Sequence, residues 1–158
     1  MKKLLLFVLI TFSTITAFSQ KENPSLNSAI SQYSKKILQQ LFKSERMGRY
    51  KIENKNTFFS DIDGDGDFDA VTEIFFCESS SCHPTTQVSK LVVFTNQNNK
   101  FTLLTDKTFR VYGKINSINK GKIRIDVYGF GEDDPQCCPS LQRQESFILK
   151  GKTLVKTR

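Results

Sequence analysis

The chain is 158 residues long, carries a formal charge of +7, and contains four cysteines and a single histidine. That length supports one domain with a real hydrophobic core and argues against two. Its lysines and arginines are scattered, with no basic stripe interleaved with aromatics, which argues against nucleic-acid binding and for an ordinary solvated surface.

In chain order, the first segment reads as an export signal. Lys2 and Lys3 precede an apolar run over residues 4–12, and Ala17 and Ser19 have the spacing of a cleavage site. The run is too short to cross a bilayer and no second run of spanning length follows. The expected division is a signal peptide over residues 1–19 and one domain over residues 20–158, exported to the periplasm or beyond, with no transmembrane segment after cleavage. Losing Lys2 and Lys3 lowers the charge by two, from +7 to +5. No cysteine stands at the cleavage point to carry a lipid anchor.

Asn23-Pro24-Ser25 then predicts a helix start, with Asn23 or Ser25 as the cap and Pro24 in the first turn. Leu26, Ile30, Tyr33, Ile37 and Leu41 recur at helical spacing, widened by Leu38 and Phe42, and this stripe is expected to pack on the domain's own core. Lys43 and Arg46 suit the negative end of the helix and Gly48 its stop.

From Tyr50 onward the pattern turns to short β-type runs. Residues 51–59 lead into an Asp-rich loop, and residues 70–77 leave it as a run rich in β-branched and aromatic side chains. Residues 88–95 and 101–105 flank Asn96-Gln97-Asn98-Asn99-Lys100, which predicts a hairpin with a longer loop. Residues 109–112 and 115–118 are shorter candidates. Ile123, Ile125 and Val127 alternate with polar neighbours after the Asn119-Lys120-Gly121 turn, the mark of a half-buried strand. Residues 146–149 and 153–156, joined at Lys150-Gly151-Lys152, predict a closing hairpin. The fold class expected is α+β, one N-terminal helix packed on a mainly antiparallel β-sheet.

The segment Asp61-Ile62-Asp63-Gly64-Asp65-Gly66-Asp67-Phe68-Asp69 carries chemistry. It sets carboxylates at every second position, and five like charges so close repel unless a cation sits among them. Calcium is the natural ion, because it is hard, takes six to eight oxygens and accepts flexible geometry where magnesium demands a tight octahedron. Asp61, Asp63, Asp65, Asp67 and Asp69 are therefore the candidate ligands, with Gly66 allowing the tight turn. An EF-hand fits in part only: the twelfth position from Asp61 is Thr72 where that motif needs Glu, Glu73 comes one residue late, and the exit reads as strand. The pattern instead resembles the nine-residue calcium loop of FG-GAP and VCBS repeats. That resemblance implies that Asp61, Asp63, Asp65 and Asp69 coordinate through side chains and Asp67 through its carbonyl. One copy is present, so a propeller is not implied.

Four cysteines in an exported chain imply disulfides among Cys77, Cys82, Cys137 and Cys138, with three pairings open. Bonds from Cys77 and Cys82 to the Cys137-Cys138 pair are favoured, since they close larger loops than a ring between neighbours; a zinc site from Cys77, Cys82, His83 and one later Cys is the alternative use. The stretch Asp134-Pro135-Gln136-Cys137-Cys138-Pro139-Ser140, together with the Asp-Gly-Asp-Gly loop, resembles the LppP/LprE family of exported envelope proteins over roughly residues 58–155. This chain departs from that family in lacking a lipid-modified cysteine. His83 is the only histidine, so a Ser-His mechanism has to pass through it, with Glu78, Ser79, Ser80 and Ser81 nearby.

The expected function is a non-enzymatic calcium-binding domain with a structural ion and an envelope or extracellular binding or maintenance role, monomeric, with an unidentified protein or envelope partner. Two alternatives stand beside it: a secreted calcium-dependent hydrolase using His83, and a disulfide-stapled inhibitor or adaptor.

Overall fold

A computed structural model describes residues 23–44, 49–80, 82–109 and 111–157. The expectations for the signal segment, for Arg46 and Gly48 at the helix end, and for Ser81 lie outside these residues.

Helix α1 (Pro24–Ser44) opens the fold. Asn23 is its cap: the Asn23 Oδ1 accepts the backbone N–H of Ser25 at 3.0 Å and of Leu26 at 3.2 Å, satisfying donors that the first turn leaves without partners. Ser25 has a different task, its hydroxyl accepting the N–H of Phe101 and so tying the helix start to a strand.

Eight strands follow: β1 (Tyr50–Ser60), β2 (Asp69–Glu78), β3 (Val88–Gln97), β4 (Lys100–Phe109), β5 (Tyr112–Asn119), β6 (Lys122–Gly129), β7 (Leu141–Lys150) and β8 (Thr153–Thr157). Each pairs antiparallel with its sequence neighbour, in two sheets of order β1-β2-β3-β4 and β5-β6-β7-β8. The α+β expectation therefore holds, with the strand content divided between two sheets.

Three layers result. Leu26, Ile30, Tyr33 and Ile37 pack on Ala70, Ile74, Phe76, Val92 and Phe94 of one sheet face. On the opposite face, Val71, Leu91 and Val93 meet Ile115, Ile123, Ile125, Val127 and Phe147 of the second sheet. β2 and β3 are covered on both sides, which is why they are buried almost without a break, whereas β6 faces a core on one side only and alternates. Burying each large side chain of this kind contributes about 1.5–3 kcal/mol.

Several expectations change in detail. The β3–β4 connection is a tight turn and not a longer loop: Asn98 and Asn99 both adopt positive φ, 54° and 63°, as a two-residue hairpin with strand-compatible twist requires. The candidate strand over residues 109–112, of which 110 lies outside the described residues, is divided between two elements: Phe109 closes β4 in one sheet and Tyr112 opens β5 in the other.

One buried carboxylate joins the layers. Glu73, 1% exposed, accepts the side-chain N–H of Asn56 at 2.8 Å and, across the sheet interface, the backbone N–H of Ile115 at 2.7 Å. Among the described residues no helix is long and apolar enough to cross a membrane.

Candidate metal centre

The Asp-rich loop joins β1 to β2 at the last rung of their ladder, Ser60 opposite Asp69. Two anchors hold it. Ile62 turns inward and is buried between the two sheets. Asp69, fully buried, accepts the N–H of Ile62 at 2.8 Å and of Asp63 at 3.3 Å through Oδ2, and the N–H of Asn96 on β3 at 3.0 Å through Oδ1. Asn96 in turn donates its side-chain N–H to the Phe68 carbonyl. A carboxylate in that position fixes both ends of the loop, since hydrogen bonds to a charged acceptor are stronger than neutral ones.

Between the anchors the carboxylates fold back on their own backbone. Asp61 accepts the N–H of Gly64 at 2.7 Å and of Gly66 at 3.2 Å; Asp63 accepts that of Asp65, and Asp65 that of Asp67. Gly64 and Gly66 sit at φ +85° and +94°, left-handed conformations that side-chain-bearing residues rarely adopt, so the alternation of Asp and Gly is a backbone requirement as well as a charge pattern. The turns bring a carboxylate oxygen from each of Asp61, Asp63 and Asp65 within 4.8 Å of one another. That is the one convergence of three or more potential metal-ligating side chains among the described residues. Asp67, exposed on the outer turn, and Asp69, at the buried anchor, stand outside this trio.

Crowding is visible in the electrostatics. Partial burial pushes the Asp63 carboxyl above its ordinary range; the N–H of Asp65 pulls it back in part, and the charges of Asp69, Asp65 and Asp61 push it further up. The trio is all oxygen, is anionic and lies partly open to solvent, a donor set that suits a hard divalent cation and lacks the sulfur or nitrogen ligands of typical zinc sites.

The cysteines depart from the cross-linked arrangement. Cys77 lies beside Cys82, with Cα atoms 5.0 Å apart, and Cys137 pairs with its neighbour Cys138. Both pairs are local, Cys82 following Cys77 by five residues just past the end of β2 and Cys138 following Cys137 directly in the β6–β7 loop. No cysteine is left over for zinc among the described residues.

The Cys137-Cys138 turn is organised by Asp134, a role the sequence motif did not assign to it. Its Oδ2 accepts the N–H groups of Gly131 and Ser140, both at 2.6 Å, and these bonds, with the Ser140 hydroxyl, hold the carboxyl below its usual range. The available signal was an Asp directly before Pro, a turn-forming pair. Asn96, Asp69's partner, and the buried Glu73 were missed as well, since their roles depend on which strands become neighbours.

His83 sits in a turn of its own. Its Nδ1 lies 2.9 Å from the Thr85 hydroxyl and accepts the Thr85 N–H at 3.4 Å, while its backbone carbonyl accepts the N–H of Thr86. Among the described residues the ring's hydrogen bonds thus go to Thr85.

Compared with protein-family models, with curated proteins and with solved structures, the chain matches none. The likeness to FG-GAP and VCBS loops and to the LppP/LprE proteins rests on the motif residues alone.

Proposed function

We propose that this chain is an exported, non-enzymatic calcium-binding module whose ion is structural. The convergence of Asp61, Asp63 and Asp65 within 4.8 Å, on a turn that needs glycine twice, carries the reading. A bound calcium would neutralise the trio and relieve the repulsion that raises the Asp63 carboxyl. The loop it stiffens is tied by Ile62 to the inter-sheet core and by Asp69 to β3, so stabilising the turn stabilises the register of both central strands. An envelope or extracellular binding or maintenance role accords with such a module.

Thermal unfolding in calcium, in magnesium and in chelator tests this. At a hundredfold excess over its dissociation constant, an ion that binds only the folded state adds about 2.7 kcal/mol, which raises the melting temperature by roughly 5–10 °C at this size. Calcium is expected to produce that rise and magnesium much less of it. An unchanged melting temperature with millimolar calcium, and no heat of binding by calorimetry, would remove the proposal.

A further inference from the structure

A second site lies on the other side of the first sheet. Helix α1 leans over β2, β3 and β4 and leaves an open groove of about 830 Å³ along its flank facing β1, the terminal strand of that sheet. The groove runs from Asn27 to Lys43, a length of about 24 Å at 1.5 Å per helical residue.

Its floor is apolar. Ile30 and Leu38 line it from the helix and Ile52 from β1, with Phe42 closing one end. Phe42 and Ile52 are 67% and 39% exposed, although both belong to the large apolar residues that normally find cover. Lys35, Lys43 and Lys55 join Asn27, Ser31 and Gln39 in the rest of the lining, in which no acidic side chain takes part among the described residues. Ser34 also lines the groove; it is 2% exposed and its hydroxyl has no hydrogen-bond partner among the described residues. Buried hydroxyls in native folds are normally satisfied, so an orphan one beneath an apolar groove points to a missing polar partner.

We propose that the α1–β1 groove binds a free single-chain anionic amphiphile, an alkyl chain bearing a carboxylate or phosphate. The chain lies along Ile30, Leu38, Phe42 and Ile52, and the head group is held by the lysines. The volume falls within the range of small-molecule sites, which are apolar troughs with a few polar groups that set orientation. The one-signed lining selects the charge of the head group and disfavours a neutral or cationic one. This site uses no residue of the Asp-rich loop, so it stands or falls independently of calcium.

The test is titration of the purified protein, in chelator and again in calcium, with dodecanoate, dodecyl phosphate and uncharged dodecanol, each as monomer, followed by backbone amide NMR. Dodecanoate and dodecyl phosphate are expected to shift amides of α1 and β1, to bind at least tenfold more tightly than dodecanol, and to gain up to about fourfold in affinity per added methylene. The double variant Lys35→Glu/Lys55→Glu, both positions exposed, is expected to melt as the parent does and to bind roughly tenfold more weakly. Equal binding of dodecanol, shifts confined to other elements, or association with phosphatidylglycerol vesicles without uptake of the monomers would each overturn the proposal. Should the double variant fail to fold, the amide shifts of the parent protein still decide it.

Discussion

The β1–β2 loop and the β6–β7 loop are both acidic turns closed by one aspartate, and they use it differently. Asp69 is fully buried at the first residue of a central strand and gathers amides from its own loop and from β3, whereas Asp134 is only partly buried and gathers two amides from its own loop. Around Asp69 three further carboxylates converge with no lysine or arginine paired to them among the described residues; around Asp134 the chain closes on adjacent cysteines and two prolines. A turn finished by its own hydrogen bonds needs nothing more. A turn that also concentrates negative charge calls for a counter-ion, and that contrast separates a candidate site from a well-made loop.

The comparison is broken most severely at Asp69. Replacing it with Ala leaves three backbone N–H groups without their charged acceptor and should cost about 3–5 kcal/mol in urea unfolding. Asp69→Asn, which keeps an acceptor oxygen, should cost less. If the two loops are equivalent, Asp134→Ala should cost as much as Asp69→Ala; partial exposure and two amide donors in place of three say it will cost far less.

Next in size is Asp63→Asn. It should abolish most of the calcium-induced rise in melting temperature while leaving the metal-free protein as stable as the parent or slightly more so at neutral pH. Because Asp63 holds its proton to higher pH in the folded loop than in the unfolded chain, its contribution to stability is present at low pH and is lost as the pH rises through its raised value. Removing the charge removes that loss. A drop in metal-free stability on this substitution would mean that the carboxylate is a structural acceptor like Asp134.

The smallest effect is expected at Asp134→Asn. The folded loop holds this carboxyl below its ordinary range, so its contribution is present above that range and is lost as the pH falls through the lowered value. Melting temperatures of parent and variant should therefore differ slightly at neutral pH and converge in acid, the opposite sense to Asp63. Solvent screening at a partly exposed group keeps the difference small.

Much of the architecture was legible in local pattern. The stripe from Leu26 to Leu41 marked the helix, Asn23 its cap, and the β-type runs most of the strands, because period and capping chemistry are properties of neighbouring residues. The hairpin at Asn98-Asn99 was lengthened in the reading because the whole polar run from Asn96 to Lys100 looked like loop; in the fold Asn96 and Gln97 extend β3 and Lys100 begins β4. The division into two sheets has its physical trace in the contrast between the near-continuous burial of β2 and the alternation of β6, one strand covered twice and the other once.

At the candidate centre, the residue types and their two-residue spacing came from sequence alone, as did the need for glycine within the turn, since charge density and left-handed φ are local matters. Tertiary structure decided that Asp61, Asp63 and Asp65 converge while Asp69 turns inward to hold Asn96, because Asp69's partner lies on a strand 27 positions further along the chain. A still longer separation, 42 positions, hid the bond between Glu73 and Ile115, which only packing of one sheet on the other could make, whereas the cysteines pair within five residues or as direct neighbours, contacts that weighting the larger loops passed over.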